Sequence, residues 1–156
     1  MQNVLNQNLI QSGSFFSYQT LAINVKVNDY VIIKGFPCRV TSVQTSLPGK
    51  HIIKTYIEGI SIFTGKKYKD VTRPQFNVEI PYVQYTQYQL IDISDDNYLT
   101  VLLENGQTKE DVKLPDDQPQ LIKNLKANLK NQKDILVTIL SAMGLEKLIS
   151  YREISN

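Results

Sequence analysis

From Leu21 to Ile80 the chain is one short β-rich segment after another, cut by turn residues, with no stretch of helical period. "DYVIIKG", "CRVTSVQ", "HIIKTYIEGISIF" and "NVEIPYV" are rich in Val, Ile, Tyr and Thr, side chains that pack well on a pleated surface. Lys34-Gly35, Pro48-Gly49 and Thr64-Gly65-Lys66-Lys67 punctuate them. Several strands at this spacing, joined by tight turns, predict a small, strongly bent barrel. In "TSLPGKHII" (45–53), Pro48-Gly49 reads as the centre of a turn, since Pro presets φ and Gly tolerates positive φ. The flanking runs are then the arms of a hairpin, with Ile52 and Ile53 in the returning strand and Lys50 and His51 at the exposed tip.

Pro81 breaks this pattern and a second one follows. "QYQLIDIS" and "NYLTVLLE" read as strands, and Asn105-Gly106 before "QTKEDVKL" is a strong hairpin signal. A helix comes next, with Asp117 as its expected cap, Pro119 in its first turn, and Leu121, Ile122, Leu125 and Leu129 on one face. "DILVTIL" (134–140) reads as a buried closing strand and "GLEKLISYRE" as a short terminal helix. Five or so strands with one interposed helix is the order of an oligonucleotide-binding (OB) barrel. The predicted fold is all-β, two small barrels joined near Pro81. Residues 16–81 form the first, residues 82–156 the second, and the Asn/Gln-rich residues 1–15 a flexible extension.

Composition narrows the function. A length of 156 residues suits one domain or two small ones, and 42% hydrophobic with 21% charged residues is ordinary for a folded soluble chain. The net charge of +2 is too small for wholesale nucleic-acid binding, so any RNA contact must come from a local basic patch. A single cysteine, Cys38, excludes an internal disulfide and points to a reducing compartment. No apolar run approaches the roughly 20 residues of a membrane helix, and the first residues lack the pattern of a signal peptide. A cytoplasmic protein with no membrane partner is expected. One histidine and one cysteine do not supply the usual ligands of a zinc site, and "GKKYKD" lacks the upstream glycine of a phosphate-binding loop. Cys38, in "GFPCRV", reads as a buried strand residue rather than a nucleophile partnered by His51. No catalytic residue, metal or cofactor is assigned: the chain binds rather than catalyses.

"KGFPCRV" (34–40), "TSLPGKH" (45–51), "GISIFTGKKYKDV" (59–71), "QLIDI" (89–93), "EDVKLP" (110–115) and "ILVTILSAM" (135–143) occur in an order that resembles eukaryotic translation initiation factor 5A, the relative of bacterial elongation factor P. The similarity runs from about Phe16 to about Ile149. It implies an SH3-like N-terminal barrel and an OB C-terminal barrel. It also implies a role for Lys50, the position matching the family lysine that becomes hypusine by transfer of an aminobutyl group from spermidine and subsequent hydroxylation. Pro48, Gly49 and His51 form the tip around it. By the same resemblance the arm reaches the acceptor end of the peptidyl-tRNA and relieves ribosomes stalled on proline runs. The implied partners are the ribosome, peptidyl-tRNA and deoxyhypusine synthase.

Lys34, Arg39, Lys54, Lys66, Lys67, Lys69 and Arg73 are candidates for phosphate contact on the first barrel. Tyr82, Tyr85 and Tyr88 could stack on bases, but a spacing of three does not hold one side of a strand, so packing at the domain junction is the preferred reading. The tip departs from the family pattern: Ile52-Ile53 stand where a glycine and a second histidine occur, and Leu47 replaces a lysine. That departure supports a second reading, a non-hypusinated paralogue serving as a structural or assembly component of a larger complex. A third, a general single-stranded RNA binder using the OB barrel, rests on fold analogy alone.

Overall fold

The computed structural model describes residues 16–46 and 52–154. They divide into two compact units, Met1–Val83 and Gln84–Asn156.

The first unit contains six strands: β1 (Ser17–Leu21), β2 (Tyr30–Ile33), β3 (Phe36–Thr45), β4 (Thr55–Ser61), β5 (Lys67–Thr72) and β6 (Asn77–Pro81). Strands β2 to β5 form an antiparallel meander, and β1 pairs with β6. Alternation sends Val31, Ile33, Cys38, Val40 and Ile57 inward, where Val25 and Ile80 complete the core. Ile33 pairs with Phe36, so Lys34 and Gly35 alone make the turn. Both have positive φ (52° and 86°), the mirror-image turn whose twist matches a hairpin. A bulge between Val40 and Ser42 bends β3.

The hairpin of β3 and β4 differs from the expected one. Its ladder ends at Thr45 and Thr55. One step further, the Ser46 amide donates to the Lys54 carbonyl (2.8 Å), and the Lys54 amide donates to Ser46 Oγ (2.8 Å). These two bonds are the last between the two arms among the described residues, and β4 begins only at Thr55. Ile52 and Ile53 therefore lie off the ladder, 46% and 45% exposed, instead of in the returning strand. Pro48, Gly49, Lys50 and His51 lie outside the described residues.

The second unit runs β7 (Gln84–Ile93), β8 (Tyr98–Leu102), β9 (Thr108–Lys113), α1 (Pro119–Lys130), β10 (Ile135–Ala142) and β11 (Leu145–Glu153). The strand order is β11-β10-β7-β8-β9. Leu90, Leu99, Val101, Val112, Ile135, Val137, Ile139 and Leu148 fill the core. Helix α1 buries Leu125 completely and lays Leu121, Ile122 and Leu129 against the same cluster, as its apolar face predicts. Lys109 on β9 pairs with Glu146 on β11 (2.9 Å) and with Asp111 (2.6 Å), linking the two edge strands as closure of the barrel requires.

Two sequence expectations fail here. Asp117 does not cap α1. The N-cap is Gln118, which makes no side-chain cap bond, while Asp117 Oδ2 accepts from Lys147 Nζ at 2.7 Å. The segment read as a terminal helix is β11, so β10 is an internal strand with neighbours on both sides. Leu145, Leu148 and Ile149 satisfy a helical i, i+3, i+4 pattern as well as a strand. The unpaired edge of β10 decides the outcome, through a two-residue turn at Met143 and Gly144 (φ 54° and 76°). The sequence reading also omitted β1 and β5. "KYKDVT" is too charged to look like a strand, because only one of its faces meets the core.

Candidate functional site

The site begins with the β3–β4 hairpin, between whose strands Lys50 falls in the sequence. Thr55, the first residue of β4, is buried, 1% exposed, and its Oγ1 has no hydrogen-bond partner among the described residues. Further down β4, Gly59 lets β3 come close: a Cβ there would stand 2.9 Å from Cys38 Cβ and 3.0 Å from the Arg39 carbonyl. Cys38 is part of this packing and not a reactive thiol. It is wholly buried, its Sγ donates to the Phe36 carbonyl (3.3 Å), and burial pushes its pKa above the ordinary 9.0.

The seven basic candidates occupy three places. Antiparallel order sets the turn after β2 and the loop after β4 at one end of the sheet, and the loop after β3 at the other. Lys54 and Arg73 sit at the Lys50 end. Arg73 stacks on Phe76, its guanidinium carbon 5.3 Å from the ring centroid, and with Ile52, Ile53 and Gln75 it lines a shallow hollow of about 220 Å³. Lys34 and Lys66 lie in turns at the far end. Arg39, Lys67 and Lys69 share the outward face between them, since Arg39 pairs with Ile60, Ile60 with Lys67, and Glu58 with Lys69. Glu58 lies 3.6 Å from Lys67 Nζ and 3.4 Å from Lys69 Nζ, so one carboxylate offsets two ammonium groups and the face stays positive. Arg39 donates to Asn28 Oδ1 (3.1 Å).

Charge is divided between the units in a way the whole-chain value conceals. The first unit has nine Lys/Arg against four Asp/Glu, net +5. The second has eight against eleven, net −3. Counting each side of Pro81 separately would have exposed this in the sequence.

The tyrosines separate as well. Tyr82 packs on Tyr18, ring centroids 5.3 Å apart. Tyr85 and Tyr88 fall on opposite faces of β7, Tyr85 exposed and Tyr88 against the second core. Among the described residues no group of three or more His, Cys, Asp or Glu could hold a metal ion, and no helix is long and apolar enough to cross a membrane.

Comparison with known proteins gives the same two-part division. Residues 17–75 match the family described as "Translation initiation factor 5A-like, N-terminal". Residues 82–152 match "Eukaryotic elongation factor 5A hypusine, DNA-binding OB fold". The chain is 40% identical to eukaryotic translation initiation factor 5A-1 of Arabidopsis thaliana over 144 residues, 92% of this chain and 90% of that one. It matches 5A-3 of Solanum tuberosum equally, 40% identical over 92% of this chain and 89% of the other. Among solved structures, an eIF-5A family protein of Naegleria fowleri superposes with a TM-score of 0.82 at 41% identity, covering 88% of this chain and 99% of its own. Factor 5A of Methanococcus jannaschii does so at 0.65 and 27%, covering 90% and 96%.

An SH3-like barrel followed by an OB fold, matched along both by proteins named as translation factors, defines a two-barrel translation factor. The chain belongs to the translation initiation factor 5A family.

Proposed function

We propose that this chain binds the ribosome and promotes elongation and termination by placing Lys50, at the end of the β3–β4 hairpin, near the acceptor end of the peptidyl-tRNA. The observation that carries this reading is the pair of Ser46–Lys54 hydrogen bonds that ends the β3–β4 hairpin beside Lys50, in a unit of net charge +5. A long cationic arm on a narrow stem enters a crowded RNA site that a barrel cannot. Placement and charge then do the work, without a nucleophile of the factor's own. The positive first unit is drawn to phosphate and the negative second unit is not, which assigns RNA contact to Lys54, Arg73, Arg39, Lys67 and Lys69 ahead of the OB barrel. Lys50 is the residue proposed to receive the aminobutyl group and become hypusine, with deoxyhypusine synthase as the modifying partner. Exposure of Ile52 and Ile53 off the ladder supports this, because the residues after His51 are not committed to strand pairing. The relatives compared above are all named translation factors, and the assembly-component reading gains no support from them.

The test replaces Lys50 by Ala and by Arg in a cell whose native copy can be shut off. Both variants should lose translation through proline runs while keeping the wild-type melting temperature. Arg retains the charge but cannot take the aminobutyl group, so a functional Lys50→Arg protein would overturn the modification. A functional Lys50→Ala protein would overturn the whole reading. Intact mass of the native protein, with and without spermidine synthesis, reports the modification directly.

A further inference from the structure

The first unit has a second concave feature that the hairpin does not use. It is a cleft of about 540 Å³ between β1 and the turn into β2, within the size range of small-ligand sites. Val25, Ile80 and Pro81 line it, with the Tyr18–Tyr82 pair and, from another element, Asn28, Asp29 and Tyr30. Tyr18 and Tyr82 keep 45% and 51% of their surface exposed, which leaves ring area for a ligand.

Hydrogen bonding within the wall decides what it offers. Asn28 Oδ1 accepts from Arg39, so its amide protons remain to donate. Asp29 Oδ2 accepts from the Lys26 amide (2.9 Å), and its second carboxylate oxygen remains to accept. A donor beside a charged acceptor suits a planar group that presents an acceptor beside N–H donors. The aromatic surface next to them suits a π-face. Guanine has both: O6 beside N1–H and N2–H₂, on a stacking ring. Arg39, bonded to Asn28, and Lys26, whose backbone amide bonds Asp29, adjoin two lining residues in a unit of net charge +5, which favours a polyanion over the basic peptide that Asp29 alone would select.

We infer that this cleft binds one unpaired guanine nucleotide of single-stranded RNA, its base stacked on Tyr18 and Tyr82 and its Watson–Crick edge read by Asn28 and Asp29. The inference rests on the reading of the first barrel as the RNA-facing unit and adds a second contact, separate from Lys50.

The test is fluorescence anisotropy of the full chain with labelled UUGUU, UUAUU and UUUUU pentaribonucleotides at low salt. UUGUU should bind at least about tenfold tighter than the others. Tyr18→Ala and Tyr82→Ala should each weaken it by roughly tenfold, the order measured for loss of a stacking side chain. Asp29→Asn keeps an acceptor for the Lys26 amide and should remove the preference for guanine. Amide NMR of the wild-type protein gives a readout independent of any variant: UUGUU should shift the side-chain signals of Asn28 and of Asn24, which also lines the cleft. Equal binding of the three pentamers, or unshifted Asn24 and Asn28 signals, would overturn the assignment. So would a proline-rich peptide that moves those signals where RNA does not. No ribosome is present in this assay, so its failure leaves the Lys50 reading standing, and a failed proline-run reporter leaves the cleft standing.

Discussion

Gly59 is the residue on which the hairpin's rigidity depends, and replacing it by alanine gives a calculable result. The added Cβ would meet Cys38 Cβ at 2.9 Å, the Arg39 carbonyl at 3.0 Å and Ile33 Cδ1 at 3.1 Å. Carbon atoms rest about 3.5–4.0 Å apart, so the Cys38 contact is too short by at least roughly 0.6 Å. Two of the three atoms belong to or sit directly on the β3 backbone and cannot swing aside; only the Ile33 methyl can. Overpacking of this kind costs about 1–3 kcal/mol, and immobile neighbours place Gly59 in the upper half. Lower unfolded-state entropy returns roughly 0.5–1 kcal/mol, leaving a net loss of about 1–2.5 kcal/mol. At roughly 4–8 °C per kcal/mol for a unit of this size, Gly59→Ala should lower the first unit's melting temperature by about 4–20 °C in calorimetry of the full chain. Adding Ile33→Val should restore little, because the two fixed contacts remain. A midpoint within about 2 °C of wild type, or full restoration by Ile33→Val, would show that β3 and β4 are free to separate and that Gly59 does not set their spacing.

The other predictions concern the second unit and the junction. Leu125→Ala removes a wholly buried side chain of α1 and should cost about 2–5 kcal/mol, read as an earlier denaturation midpoint. Lys109→Met should flatten the pH dependence of stability at both ends. Its hydrogen bond to Asp111 holds that carboxyl below its ordinary value, a contribution lost as pH falls through the lowered pKa. Burial pulls the Lys109 ammonium down, but bonds to Asp111 and Glu146 outweigh it and leave its pKa raised, a contribution lost as pH rises through the raised value. Melting temperatures measured from acid to alkaline pH would contradict this if both limbs persisted in the variant. Limited proteolysis near residues 80–86 should release two fragments that each keep a cooperative melt. A single transition lost on cleavage would mean one shared core.

Much of the fold was legible because its signals were local. The Val/Ile/Tyr runs with Gly-containing turns, the Asn105-Gly106 hairpin, and the apolar face of α1 with Pro119 at its start each specify an element from a few neighbouring residues. The failures fall where a distant partner decides. β11 fits either period until β10 offers an edge. β5 looks too polar for a strand until β4 supplies one wall, and Asp117 is taken from the cap by a lysine 30 residues away.

The functional surface was legible to a different degree. A resemblance located Lys50, but the whole-chain charge conceals its division, since a net +2 averages a unit of +5 with one of −3. Electrostatic attraction acts over about a Debye length, roughly 8–10 Å at ordinary salt, so a phosphate beside the first barrel responds to that barrel and not to the sum. Nor could the sequence sort the seven basic candidates, because strand direction decides which end of the sheet each one reaches. Lys54 and Arg73 come to the Lys50 end only because β3 and β4 meet there and β5 ends beside the start of β4, and Lys34 and Lys66 are carried away by the same alternation. A positive surface assembled from strand ends in this way can grip RNA around the arm while the far end stays out of contact. Charge reversal at Arg73 should therefore impair the factor more than charge reversal at Lys34, although the two look equivalent in the sequence.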